Sequence, residues 1–245
     1  MSDIGIAILD IGTQDELNAC YDSLPELENI IVVSNTKNTL PDCVRKQFSV
    51  GTQMATLRNW AISHFRINEL KHFFFITSNL TIIDKNVFDN TIKTAETFGT
   101  WAMTGPDVVT YSIEDDEKNI SLSISEKLNH NFLYLFNGIV SNVGYFDERF
   151  YGGKNLEVID YIIRLRDKKV YPPLNYNPII TSKIKNNKKE DDVPFDLGTD
   201  NKANVAYGYF LYKNKYIPNQ NDPKSVEKDE LLKSLEEIQK NYAKK

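Results

Sequence analysis

HFFFITSNLTIID, residues 72–84, is the stretch on which the fold of this chain turns. Four consecutive apolar residues, Phe73 to Ile76, show no polar alternation, the pattern of a strand buried on both faces. They stop at three small polar residues, Thr77, Ser78 and Asn79. In an open α/β sheet, ligands bind at the carboxyl ends of the strands, so this trio marks where a site is to be sought. It contains no acidic residue.

The flanking segments alternate strand and helix. Ile4 to Leu9 is an apolar strand ending at Asp10, and Gly12, Thr13 and Asp15 supply turn and N-cap residues for a helix through about Leu24. Asn29 to Val33 is the next strand, ending in Ser34, Asn35, Thr36 and a polar loop. Phe48 to Gly51 reads as a short strand or a loop. A helix follows over 52–65, where Met54, Leu57, Ala61 and Phe65 recur at helical spacing. Another helix is expected over 86–98. This βαβαβα order predicts an α/β fold with a mainly parallel central sheet, flanked by helices on right-handed crossovers.

The second half is more mixed. A strand is expected at 100–104, a polar turn over 107–117, an alternating strand at 120–124 and an aromatic-rich strand at 131–140. The turn-rich VGYFDERFYGG (143–153) leads into a helix over 155–167, and 183–192 reads as a charged, solvated loop. The tail is predicted to be a helix capped near Ser225 or Asp229, with Leu231, Leu232, Leu235 and Ile238 on one face. No internal repeat is visible. Tyr207, Tyr209, Tyr212 and Tyr216 suit either a protein interface or alternating strand packing.

With 245 residues, 41% of them hydrophobic, the chain can build a substantial core. A net charge of -5 gives no overall pull toward nucleic acid or anionic membrane, so small molecules or proteins are the expected partners. Cys20 and Cys43 are too few and too far apart for a disulfide framework and read as reduced thiols. No run reaches the ~18 apolar residues of a membrane span, and MSDIGIAILDIG has no leader pattern, which predicts a cytoplasmic chain. His64, His72 and His130 lack metal-ligand spacing. Glycine-rich dinucleotide, phosphate-loop and hydrolase-elbow motifs are missing.

Three segments carry a resemblance. SVGTQMATLRNWAI (49–62) resembles the Gly-x-x-x-Ala-x-x-Arg-Asn helix of the large inverting GT-A glycosyltransferase family that uses nucleotide sugars. HFFFITSNLTIID resembles its strand into the metal-binding loop, and VGYFDERFYGGKNLEVIDYIIRL (143–165) its acceptor-side segment. The order matches, and together they span roughly the first 170 residues. The overall style, with a lysine-rich C-terminal helix, is similar to glycosyltransferase-like proteins encoded by bacteriophages.

The resemblance implies a GT-A domain over 1–222, with a nucleotide-binding-like half (1–106), an acceptor-like half (107–222) and a separate C-terminal helix (223–245). It implies an Asp-x-Asp motif after the third strand, where Mn2+ or Mg2+ bridges the donor diphosphate, and a Glu-Asp pair supplying the general base. Here the first position reads Thr77, Ser78, Asn79 and the second Glu157, Val158. The metal residues are therefore expected to be none. Nucleotide-sugar contacts would fall to Asp10, Asn35, Arg58, Asn59, Thr77, Ser78 and Asn79. Glu157 and Asp160 are the substitute base candidates, adjacent on one helix face. Ordinary roles stand beside these: a salt bridge for Arg58, turns for Asp10 and Asn35, a charge ladder for Glu157, Asp160 and Arg164. Asp84 and Asp107 are carboxylates from elsewhere whose distance from the metal position only the fold decides.

Three functions follow. The first is a structural or binding module that has lost catalysis, with protein partners in a larger assembly such as a phage virion. The second is an active, metal-independent transferase moving sugar from a nucleotide-sugar donor to a hydroxyl. The third is a nucleotide-sugar sensor without turnover. Two independent losses, of the acidic metal motif at Thr77-Ser78-Asn79 and of the base at Val158, favour the first.

Overall fold

The structure is a computed structural model that describes residues 3–98, 102–104, 109–115, 120–125, 131–150, 156–168, 176–178 and 184–186. Strand β1 (Ile4–Asp10) leads into helix α1 (Gln14–Ser23). Strands β2 (Ile30–Ser34) and β3 (Val44–Gln47) precede helix α2 (Met54–Ile67). Next come β4 (His72–Thr77), the short β5 (Leu80–Ile82) and α3 (Val87–Phe98). The second half contributes β6 (Ala102–Thr104), β7 (Val109–Asp115), β8 (Ile120–Ser125) and β9 (Phe132–Phe136). It continues with α4 (Asn137–Val143), α5 (Leu156–Asp167), β10 (Tyr176–Pro178) and β11 (Ile184–Asn186).

Among the described residues the central sheet runs β3-β2-β1-β4-β9-β6. The first four strands are parallel, and β9 is antiparallel to both its neighbours. Strand alternation divides the core into two layers. Ile6, Ile8, Ile30, Val32, Phe74, Ile76, Phe132 and Tyr134 face α1 and α3, joining Leu17, Cys20, Val87 and Phe88. Ala7, Leu9, Ile31, Val33, Phe73, Phe75, Leu133 and Leu135 face the other way, onto α2, α4 and α5. The double burial of β1, β2 and β4 explains why they read as continuous apolar runs. Packing on the α2 side is close: a Cβ on Gly5 would lie 2.7 Å from the Phe65 ring and 2.9 Å from Leu70.

Several expectations are corrected. Val44–Gln47, read as polar loop, is an edge strand whose four residues are all exposed. Its Arg45 and Lys46 blunt that edge against further pairing, and they also hide it from an apolar-run criterion. The strand expected over 131–140 ends at Phe136. Its partner β4 begins at His72, opposite Phe136, so no ladder remains beyond that point. Asn137 instead bonds back through its N–H to Lys71 O at 2.8 Å and through Nδ2 to Leu70 O at 3.2 Å, and α4 begins. Residues 109–115, read as a polar turn, form β7 and pair with β8 in an antiparallel hairpin. Part of the charged stretch 183–192 forms β11, which pairs with β5. The C-terminal helix and the tyrosines of 207–216 lie outside the described residues.

At the opposite end of β4 from Thr77, half-buried His72 places Nδ1 2.9 Å from Tyr134 Oη and stacks on that ring. Burial lowers its pKa, and Lys71 adds to this, while Glu96 and Asp3 oppose it. Burial lowers His64 likewise. A base held below its unfolded value of about 6.5 takes up more protons when unfolded, so the stability it contributes is intact above that pH and lost on acidification. The melting temperature is expected to fall between about pH 7.5 and 5.5, and to fall less in His72→Phe. Equal slopes in the two proteins would remove His72 as a cause.

Candidate functional site

The carboxyl ends of β1, β2 and β4 lie side by side: Asp10 is in register with Ser34, and Leu9 with Thr77. This register brings Asp10, Asn35 and the 77–79 trio to one end of the sheet. Asp10 is fully buried, and its carboxylate is enclosed by donors. Ser34 Oγ and Thr36 Oγ1 donate to Oδ2 at 2.8 and 2.6 Å, and Asn38 Nδ2 donates to Oδ1 at 3.0 Å. Asn38 Nδ2 also reaches Gly12 O at 3.1 Å. Asn35 turns away and donates to Thr52 O at 2.5 Å, bracing the approach to α2.

Ser34, Thr36 and Asn38 were not singled out from the sequence. Two parallel strands that end level, one in Asp and the other in a Ser/Thr/Asn run, are the signal that points to them.

The trio is also turned inward. Thr77 and Ser78 are fully buried and Asn79 is 6% exposed. Thr77 Oγ1 donates to Asn79 Oδ1. Ser78 Oγ accepts from the N–H groups of Ile11 and Gly12 at 3.1 and 2.9 Å. Beneath Thr77, Cys20 Sγ lies 3.8 Å from Thr77 O, and burial with the nearby Asp10 charge pushes its thiol pKa up to about 12. Two hydroxyls and an amide already engaged within the protein do not fit the oxygen-rich, carboxylate-anchored shell that a hard dication requires. Asp84, one of the two carboxylates named from elsewhere in the chain, accepts from Asn86 N at 2.9 Å at the start of α3. Asp107 lies outside the described residues. Among the described residues no three His, Cys, Asp or Glu side chains converge to hold a metal ion.

Arg58, Asn59, Glu157 and Asp160 gather on the α2–α5 side of the sheet. Arg58 is fully buried and donates through Nη1 to Glu157 Oε1 at 2.6 Å, with its Cζ 5.5 Å from the Phe146 ring centroid. Desolvation lowers its pKa, opposed by the Glu157 charge and hydrogen bond. Asn59 is a clamp on the loop after α4: Nδ2 donates to Phe146 O at 2.9 Å and Oδ1 accepts from Phe146 N at 2.8 Å. The same Nδ2 reaches Glu148 Oε1 at 2.7 Å, and Thr56 Oγ1 donates to Glu148 Oε2 at 3.0 Å.

Asp160 is fully buried and accepts from Arg164 Nε at 2.9 Å. Arg164 continues to Val143 O and Tyr145 O, both at 2.9 Å, tying α5 to the end of α4. Val158, at the expected base position, is 1% exposed and belongs to the core. Each acidic candidate on α5 thus faces an arginine, and neither side chain lies open to solvent.

No family model matches the chain, and no curated protein matches it in sequence. Solved structures do match. GalNAc-T7, in a crystal structure with UDP, GalNAc and Mn2+, aligns with a TM-score of 0.60 at 10% identity, over 96% of this chain and 54% of that one. S. aureus TarS 1-349 aligns at 0.46 and 11% identity, over 67% and 55%. The mannosyltransferase PcManGT from Pyrobaculum calidifontis, in complex with GDP-Man and Mn2+, aligns at 0.49 and 9% identity, over 71% and 54%. This chain spans about half the length of each. At such identities the likeness is one of fold. The chain has a GT-A glycosyltransferase-like fold, with a mostly parallel central sheet flanked by helices.

Proposed function

We propose that this chain is a glycosyltransferase-like protein that keeps the GT-A scaffold without its metal and base chemistry, and serves as a structural or binding module. The observation carrying this reading is the inward engagement of Thr77, Ser78 and Asn79, which hold no carboxylate of their own and spend their hydroxyl and amide groups on protein partners. The pairing of Glu157 and Asp160 with Arg58 and Arg164 supports it from the acceptor side. A general base must reach the proton it abstracts, and a carboxylate inside an internal ion pair is poorly placed for that. Assembly with protein partners, with a bacteriophage virion as the candidate setting, belongs to the same reading. Among the described residues no helix is long and apolar enough to cross a membrane.

A second reading takes its nucleotide-sugar donor from the fold match to GalNAc-T7, whose structure holds UDP and GalNAc. In it the chain is an active transferase that uses a nucleotide-sugar donor without a metal, with Asp160 or Glu157 as base. Calorimetric titration with a panel of UDP- and GDP-sugars, with and without Mn2+, and a nucleotide-release assay separate the two. The module reading expects no metal-dependent binding and no release. Release that drops about 100-fold or more in Asp160→Ala would establish the second reading instead. Binding without release would make the chain a sensor.

A further inference from the structure

The geometry points to a hydrogen-bonded lock at the carboxyl end of β4: Ser78 organises the β1–α1 loop with protein atoms alone, closing this end to dications and to phosphate oxygens. The inference rests on the reading of the same site given above and adds how that end is held.

Ser78 is anchored first through its own backbone, its N–H donating to Leu9 O at 3.0 Å. Its hydroxyl then receives the N–H groups of Ile11 and Gly12. The next amide, Thr13 N–H, goes to Glu16 Oε2 at 2.7 Å, within the capping box that starts α1. Three successive amides are therefore satisfied by two side chains of the protein. Successive N–H groups entering a helix form a concavity that ordinarily receives an anion. Here a buried hydroxyl and a carboxylate fill it, and the carboxylate repels a phosphate.

A Cβ at Gly12 would stand 2.6 Å from Glu16 Oε2 and 2.9 Å from Ser78 Oγ, so a larger residue there would have to displace the groups that hold these amides. On the cation side, the Thr77–Asn79 hydrogen bond holds the flanking side chains together. The turn and the loop are thus fixed to each other by these hydrogen bonds.

Amide hydrogen exchange read residue by residue tests the lock. In the wild-type protein Ile11 and Gly12 should be protected without any added ion, and neither Mn2+ nor pyrophosphate should change their rates by more than about twofold. In Ser78→Ala these two amides should exchange about tenfold faster or more, while Thr13, held by Glu16, should not change. Unprotected Ile11 and Gly12 in the wild type, or slowing of about tenfold by Mn2+ or pyrophosphate, would overturn the lock. So would a folded Ser78→Ala with unchanged rates. The wild-type arm decides whether or not that variant folds. Nucleotide release measured on the same samples separates the two ideas: turnover with ion-insensitive amides sinks the module reading and keeps the lock, whereas ion-slowed amides without turnover sink only the lock.

Discussion

Arg58→Met is expected to lower the unfolding free energy by about 3–5 kcal/mol, the cost of leaving a buried charge without its partner. The guanidinium is wholly excluded from solvent, and the Glu157 side chain it meets is 4% exposed, so water cannot take over when either is removed. The pair joins α2 to α5 across 99 residues of sequence, which makes it a tertiary fastening and not a helix-surface charge. Its net value is smaller than this loss, because desolvating both groups offsets much of their attraction; burial lowers the Arg58 pKa despite Glu157 beside it. Arg58→Met/Glu157→Met should therefore recover most of what either single change loses. Urea unfolding of the four proteins completes the cycle. A loss below about 1 kcal/mol in Arg58→Met would mean that Glu157 reaches water in the folded protein and that the pair is not sealed.

Asp10→Ala is expected to cost about 3 kcal/mol or more, since hydrogen bonds to a charged acceptor are worth about 1.5–3 kcal/mol each and three side chains share this one. The loss spreads along the loop after β2. Ser34 Oγ also accepts from Thr36 N, and Thr36 Oγ1 from Asn38 N, both at 3.1 Å, so the donors that Asp10 orients themselves hold the backbone that follows. Asp10→Asn should be milder, about 1–2 kcal/mol, because the hydroxyls of Ser34 and Thr36 can rotate to accept from the new amide. Urea midpoints at constant slope give the comparison. If both variants lie within about 0.5 kcal/mol of wild type, Asp10 is not the support of this end of the sheet.

The two residues also show where sequence reading reaches its limit. Asp10 was legible as the polar end of a buried strand, because an apolar run stopped by Asp is a local pattern. Its three donors lie 24 to 28 residues away and became neighbours only through the parallel register of β1 with β2. Arg58 was legible as part of a helical segment with a family resemblance. Its burial against Glu157 was not, since an arginine at a helical position has the same sequence appearance whether it faces solvent or core. The edge strand β3 went unread for a related reason: an exposed strand carries no apolar signature.

By itself the sequence determined the α/β alternation, the double burial of the strand at Phe73 to Ile76, and the lack of a carboxylate in Thr77-Ser78-Asn79. Those properties are written in composition and period over a few residues. The tertiary structure alone decided that Ser78 grips the loop after β1, that Glu157 and Asp160 answer arginines, and that the strand at Phe136 gives way to a helix. Each of these depends on which buried polar group meets which donor across distant stretches of chain, and local periodicity carries no information about that.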